Sequence, residues 1–305
     1  MTTSERAIHL DYLVALQGAA MTAGTATGDV DGAAVMGASA PALPDDPDLV
    51  GAVRANLHLA RTAALACASQ LDGLRCLAAL DRAPMVCVGA VARSTIEAAG
   101  QLWWLRAPLT SGAGDGDVWT ELAKRAAVVA GFWHVWSARL TEKVLEAPVA
   151  RPLATDLAEE LRTGAARSRE FAATVRAEVG DLTFDYGRAA RELMLAAGVR
   201  LATSVYARLC EMSHANPLGI TRSDPRPDLL ATGLMPWQAT PSPDALHDDH
   251  SIDTFLLVVA RSVSHAMLDG FHPATGRTWG LPAHEWAALT AASDDWVARV
   301  RPPAT

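Results

Sequence analysis

A chain of 305 residues, half of them hydrophobic and 20% charged, has length for a substantial core and excludes disorder throughout. With 26 Lys and Arg against 34 Asp and Glu, its net charge of -8 argues against general nucleic-acid binding, though not against a local basic patch. The cysteines Cys67, Cys76, Cys87 and Cys210 form no CxxC pair, which argues against a zinc finger or ribbon; four in a chain this long make no disulfide framework, and they read as reduced core residues.

In chain order, Ser4 is expected to cap a short helix to Gln17, with Ile8, Tyr12, Leu13 and Leu16 on one side. Gly18 to Pro47 is rich in Ala, Gly, Thr and Pro and holds no apolar period, so it reads as a flexible segment. Residues 1–47 are thus set apart from a helical bundle domain over 48–305. Asp48 is expected to cap a long helix to about Leu80. A third helix runs to Arg106, a fourth from Val118 to Leu145 and a fifth from Leu153 to Val179. The pattern predicts one continuous sixth helix from Tyr186 to His214 and a long loop from Ala215 to Asp249. A seventh helix covers Ser251 to Gly270 and, after a loop from His272 to Pro282, an eighth runs from His284 to Arg301. Nothing alternates at period two, so the fold class is all-α, a single bundle of six to eight helices with long surface loops.

The N-terminus lacks the basic-then-apolar layout of a signal peptide. No run of 18 uncharged apolar residues exists. The closest, Ala83 to Leu105, carries Arg93 and Glu97. These features predict a cytoplasmic protein without a membrane partner.

The third helix carries the first candidate chemistry. Arg93 and Glu97 are the only charges between Arg82 and Arg106, and a spacing of four puts them on one face. Two charges in so apolar a helix are expected to be buried and paired, since an unpaired buried charge costs several kcal/mol. They serve either as an internal salt bridge that sets helix register or as part of a polar pocket.

The sixth helix carries the second. Tyr206, Arg208, Glu211 and His214 crowd its end before Pro217. Glu211 and His214, spaced i,i+3, share a face and form half of the carboxylate-bridged di-iron pattern. Asp269-Gly-Phe-His272 is the nearest second half, with Glu97 and Asp253 to complete it. The plainer reading makes His214 a C-terminal helix cap, favoured by the helix dipole. Glu211 is expected to hold one ring nitrogen of His214 and leave the other for acid–base work near neutral pH.

Some features take bland readings. Trp133, His134 and Trp136 read as core and interface, and Trp279, Trp286 and Trp296 as a clamp for the last helix. His247 to His250 reads as a helix start, with acidic residues matching the dipole. Arg261, His265 and Asp269 read as a surface charge ladder.

Arg208-x5-His214 resembles the catalytic signature of HEPN-type ribonucleases, in which an arginine and a histidine lie four to six residues apart. The resemblance implies a small helical bundle, a histidine that activates the ribose hydroxyl and an arginine that holds the phosphate. Leu209 departs from it, since a polar residue usually follows that arginine in active members. Two further blocks, Arg93-x3-Glu97-Ala-Ala with Trp104-Leu105, and Tyr206-x2-Leu209-x3-Ser213-His214, resemble a broad group of uncharacterised bacterial all-helical proteins distantly similar to HEPN bundles. That resemblance covers Asp48 to Asn216 and implies that Arg93, Glu97, Ser213 and His214 meet inside one bundle.

The candidate catalytic set is therefore His214, Arg208, Glu211, Arg93, Glu97 and Tyr206, with no cofactor assigned and a metal left open. Three functions are weighed: a HEPN-like nuclease or RNA-binding protein; a small-molecule enzyme with a polar pocket, including a di-iron-like oxygenase; and a non-catalytic interaction protein. RNA, a small-molecule substrate and a second copy of the chain are the partners considered.

Overall fold

The computed structural model describes residues 3–26, 46–109, 115–146, 155–214, 247–271 and 281–300. Among them the chain is all-α. The helices are α1 (Thr3–Thr25), α2 (Pro47–Ala78), α3 (Met85–Arg106), α4 (Asp115–Glu146), α5 (Thr155–Val179), α6 (Tyr186–Ala196), α7 (Ala202–Ser213), α8 (Asp249–Gly270) and α9 (Ala283–Val300). The chain divides into two compact units. One holds α1, α2 from Leu57 onward, α3 and α6 to α9; the other holds the start of α2, α4 and α5.

The first unit is built around α3. This helix packs against α6, α7 and α8, while α8 and α9 pack against α1. Its small residues explain the arrangement. A Cβ on Gly100 would lie 2.8 Å from the backbone nitrogen of Ala190 in α6, and one on Gly89 would lie 2.7 Å from the Met212 side chain in α7. Only glycine lets both helices come so close. Ala92, Ile96, Ala99, Leu102 and Leu105 are buried on α3, and Phe255, Leu256, Val259, Val263 and Met267 on α8. Length and composition alone would let α8, rather than α3, cross a membrane, but 67% of its apolar stretch is buried within the structure.

In the second unit α4 and α5 pack side by side. Gly131 faces Val175, and the edge of Phe132 meets the ring of Phe184 at 5.7 Å. Asn56 donates to the Leu122 carbonyl at 2.9 Å, tying the start of α2 to α4.

Several sequence expectations need correction. Helix α1 does not stop at Gln17 but continues to Thr25, where Ala19, Ala20 and Ala23 are buried. Alanine faces can pack closely without the large apolar period that normally marks a helix. The cap of α2 is Asp46, whose carboxylate accepts from the Asp48 amide at 2.9 Å. The helix expected from Tyr186 to His214 is two helices. It breaks between Ala197 and Leu201 around Gly198, whose φ is +79°, so that nine helices stand among the described residues where eight were expected along the chain. Of the four cysteines only Cys67 is buried, with Cys76 and Cys87 exposed and Cys210 half-buried. Trp133 and Trp136 are exposed rather than core residues.

Trp296 does clamp the last helix. It stacks on Tyr12 at 4.8 Å and donates to His9 Nδ1 at 3.2 Å. Trp286 donates to the Leu268 carbonyl at 3.4 Å. Asp248 caps α8 and accepts from the His250 amide at 3.2 Å. Ser4's side chain, most of residues 18–47, and the expected loops over 215–246 and 272–280 lie outside the described residues, as does Trp279.

Candidate functional site

Helices α3, α6 and α7 bring together a polar cluster in the first unit. Arg93, in the middle of α3, donates from Nε to Glu97 Oε1 at 2.8 Å, one turn along the same helix. Its Nη1 reaches α7, where it donates to Ser213 Oγ at 2.8 Å and lies 3.2 Å from His214 Nε2. Tyr206, two turns back on α7, donates its hydroxyl to the same Glu97 oxygen at 2.5 Å. Ser213 in turn donates to the Cys210 carbonyl at 3.1 Å, so the cluster also covers an end carbonyl of α7.

The short α6 adds a second cation. The Arg191 guanidinium lies 5.4 Å from the centre of the Tyr206 ring, and that of Arg93 lies 5.9 Å from it. Gly187 makes room for this. A Cβ there would stand 3.1 Å from the Tyr206 hydroxyl and 3.3 Å from Arg191 Nη1.

The electrostatics follow from partial burial. Burial by itself would lower the Arg93 pKa, but the hydrogen bond and charge of Glu97 outweigh it and raise it. Arg93 therefore stays cationic, and the nitrogen it faces on His214 must be an acceptor. Burial raises the Tyr206 hydroxyl well above its ordinary value, and the hydrogen bond and charge of Glu97 raise it further. Tyr206 thus keeps its proton and donates it to Glu97.

The expected set comes together only in part. Arg93, Glu97, Tyr206, Ser213 and His214 meet, but the Arg93–Glu97 pair is not fully buried: the two side chains are 24% and 20% exposed. The deeply buried arginine is Arg106 at the end of α3, 0% exposed, donating to the Gly270 carbonyl at 2.8 Å and lying 5.4 Å from the Phe271 ring. Burial, and then the charge of Arg61, pull its pKa down to about 9. Its position at a helix end hid this in the sequence, where terminal basic residues usually face water.

Glu211 does not hold His214. It pairs with Arg208 at 3.4 Å along one face of α7, and Arg93 takes the place beside the imidazole. Arg208 and His214 therefore belong to separate contacts, as expected from two residues about 120° apart around a helix. His214 itself is exposed and forms the C-cap of α7, its amide donating to the Cys210 carbonyl.

The di-iron expectation meets the same separation. Glu97 is paired with Arg93, Glu211 with Arg208, Asp253 with Arg6 at 2.9 Å and Asp269 with His265 at 3.2 Å. No group of three or more His, Cys, Asp or Glu side chains converges among the described residues, and His272 lies outside them. Carboxylates each engaged by a separate arginine or histidine are poor candidates for a shared metal.

Arg191 and Gly187 escaped the sequence reading. On one straight helix, Arg191 and Tyr206 would stand roughly 22 Å apart at 1.5 Å per residue. The turn at Gly198 folds them together. Two grooves on the described surface share none of the cluster's side chains. One, of about 820 Å³, lies between α4 and α5; the other, of about 370 Å³, lies among α6, α8 and α9. The chain matches no known family model, no curated protein and no solved structure.

Proposed function

We propose that the chain is a HEPN-like helical protein that acts on RNA at the junction of α3 and α7, with His214 as base and Arg93 as the phosphate-holding cation. One observation carries the reading: an exposed imidazole at a helix end has its Nε2 lone pair held 3.2 Å from a permanently cationic guanidinium. A histidine acceptor next to an arginine is what in-line attack of a ribose hydroxyl needs.

In the reaction, a phosphate oxygen draws the Arg93 fork away from Nε2, which frees that lone pair. His214 takes the 2′-hydroxyl proton, the 2′-oxygen bonds to phosphorus and the bond to the 5′-oxygen breaks. The leaving oxygen takes a proton from water. The products are a 2′,3′-cyclic phosphate and a 5′-hydroxyl. Glu97 and Tyr206 hold Arg93 from behind, and Arg191 adds positive charge nearby. Arg208, paired with Glu211, has no part in this step.

The test compares three variants on single-stranded RNA. His214→Ala should lose cleavage and keep its melting temperature, because the ring is exposed. Arg93→Gln should also lose cleavage, while Arg208→Gln should retain it. Cleavage that survives in His214→Ala, or is lost only in Arg208→Gln, overturns the assignment.

A second reading, a non-catalytic interaction protein, is favoured by a different observation. Trp133, Trp136, Leu140 and Val144 form an exposed apolar stripe along α4, 41% to 54% exposed. Such a stripe fits a partner helix, including one from a second copy of the chain. Wild-type protein that cleaves no RNA, yet changes from dimer to monomer on Trp136→Lys, would establish that reading instead.

A further inference from the structure

The groove among α6, α8 and α9 holds an arginine without a partner among the described residues. Arg261 lies on α8 and is half-buried, yet among the described residues it makes no hydrogen bond or ion pair. Its Nη1 stands 4.0 Å from where a Cβ would sit on Gly198, so the left-handed turn between α6 and α7 leaves room for the guanidinium beside the groove. A half-buried cation has lost part of its hydration and gains from an anion more than a fully solvated one does.

The rest of the lining is mostly small or apolar. Ala196 and Ala197 at the end of α6, Leu268 on α8 and Val297 on α9 form walls, and the buried Trp296 lies against Tyr12 beneath. One turn from Arg261, His265 is held by Asp269 through Nε2 at 3.2 Å, which leaves Nδ1 as the ring's remaining polar atom. Asp269 is thus tied to His265 one turn further along α8, and its carboxylate is not the partner of Arg261. The expected surface ladder of Arg261, His265 and Asp269 is therefore one pair and one unpartnered cation at the edge of a cavity of about 370 Å³.

We propose that this groove binds a small organic carboxylate with a compact apolar body, its carboxylate on Arg261 and its body against Leu268, Val297 and the alanines of α6. The planar guanidinium matches a carboxylate in two parallel hydrogen bonds. The volume lies at the small end of ligand pockets, and its lining combines apolar walls with a few polar groups, Ser264, Ser293 and the His265–Asp269 pair, beside the Arg261 anchor. The site is independent of the α3–α7 cluster and of the reading given to it.

Phenylacetate serves as the probe, with the full chain followed by saturation-transfer NMR and calorimetry. Phenylacetate should bind wild type, and Arg261→Gln should weaken it about 10-fold or more, the loss expected for a charge-assisted pair. Neutral phenylacetamide should bind wild type equally poorly. Ala196→Trp, which fills the groove and leaves Arg261 in place, should also abolish binding. Were Arg261→Gln to misfold, the acid–amide comparison and the tryptophan variant still decide. Three results overturn the proposal: no binding of phenylacetate at about 10 mM, a concentration that reveals even very weak sites; equal binding of acid and amide; or inorganic phosphate binding as well as phenylacetate, which would leave a bare anion site.

Discussion

Arg93 and Arg106 lie on the same helix and meet opposite fates. Arg93 keeps a quarter of its side chain in water and is held by Glu97, whereas Arg106 is sealed off and bonds to a backbone carbonyl. This sets the expected cost of removing Glu97. A fully buried pair broken on one side costs roughly 3–5 kcal/mol. Here Arg93 can still reach water, and what is lost is two hydrogen bonds to a charged oxygen. Glu97→Ala should cost about 2 kcal/mol, a fall of roughly 4–8 °C in Tm. An unchanged melting curve would show that the network carries no stability. His9 provides a pH test. Burial lowers its pKa below the ordinary value, more than Asp253 and Glu5 raise it, so the folded chain resists a proton that the unfolded chain accepts. Its contribution is complete above the unfolded value of about 6.5 and declines as pH falls below it. Thermal melts between pH 7.5 and 5 should steepen for wild type relative to His9→Gln, which cannot titrate.

At the scale of the helices, glycines decide what meets. Gly198, with φ of +79°, turns the chain between α6 and α7 and brings Arg191 to Tyr206. Gly198→Ala would bring its methyl into ordinary contact with Arg261 Nη1, 4.0 Å away, but in the wrong backbone geometry, so it should lose about 1 kcal/mol in chemical denaturation. Gly100→Ala should cost more, about 2 kcal/mol, since its Cβ would press on the α6 backbone at 2.8 Å and overpack the α3–α6 seam. Gly73 is the control. It lies in α2 with nothing within 4 Å of an added Cβ, and Gly73→Ala should stabilise by roughly 0.5–1 kcal/mol through helix propensity alone. If all three substitutions shift the denaturation midpoint alike, the close approach at Gly100 does not constrain the fold.

For the whole molecule, charge bears most directly on the proposed action on RNA. A chain of net charge -8 repels a polyanion unless cations are concentrated locally. In the α3–α7 cluster those cations are Arg93 and Arg191. The logarithm of RNA affinity should therefore fall with the logarithm of salt at a shallow slope, about -1.4 for two neutralised phosphates on a single strand. Fluorescence polarisation across a salt series measures it. A slope near -5 would place the contact on some broad basic surface instead and remove the cluster from RNA binding.

What the sequence determined by itself was the secondary-structure class and most helix positions, because apolar periodicity and proline and glycine breaks are local signals. It also singled out Arg93, Glu97, Tyr206 and His214, since charges in an apolar, small-residue helix and polar groups crowded at a helix end are conspicuous without coordinates. Tertiary structure alone decided which of them touch. Glu211 and His214 share a face of α7 on spacing, yet each is claimed by an arginine, Arg208 from the same helix and Arg93 from its neighbour. Arg191 joined the cluster only through a turn whose sole sequence mark is one glycine inside an otherwise helical pattern. Spacing along a chain fixes direction around one helix axis; the partner across the gap depends on how closely two helices approach, and here that distance was set by single glycines on α3 and α6.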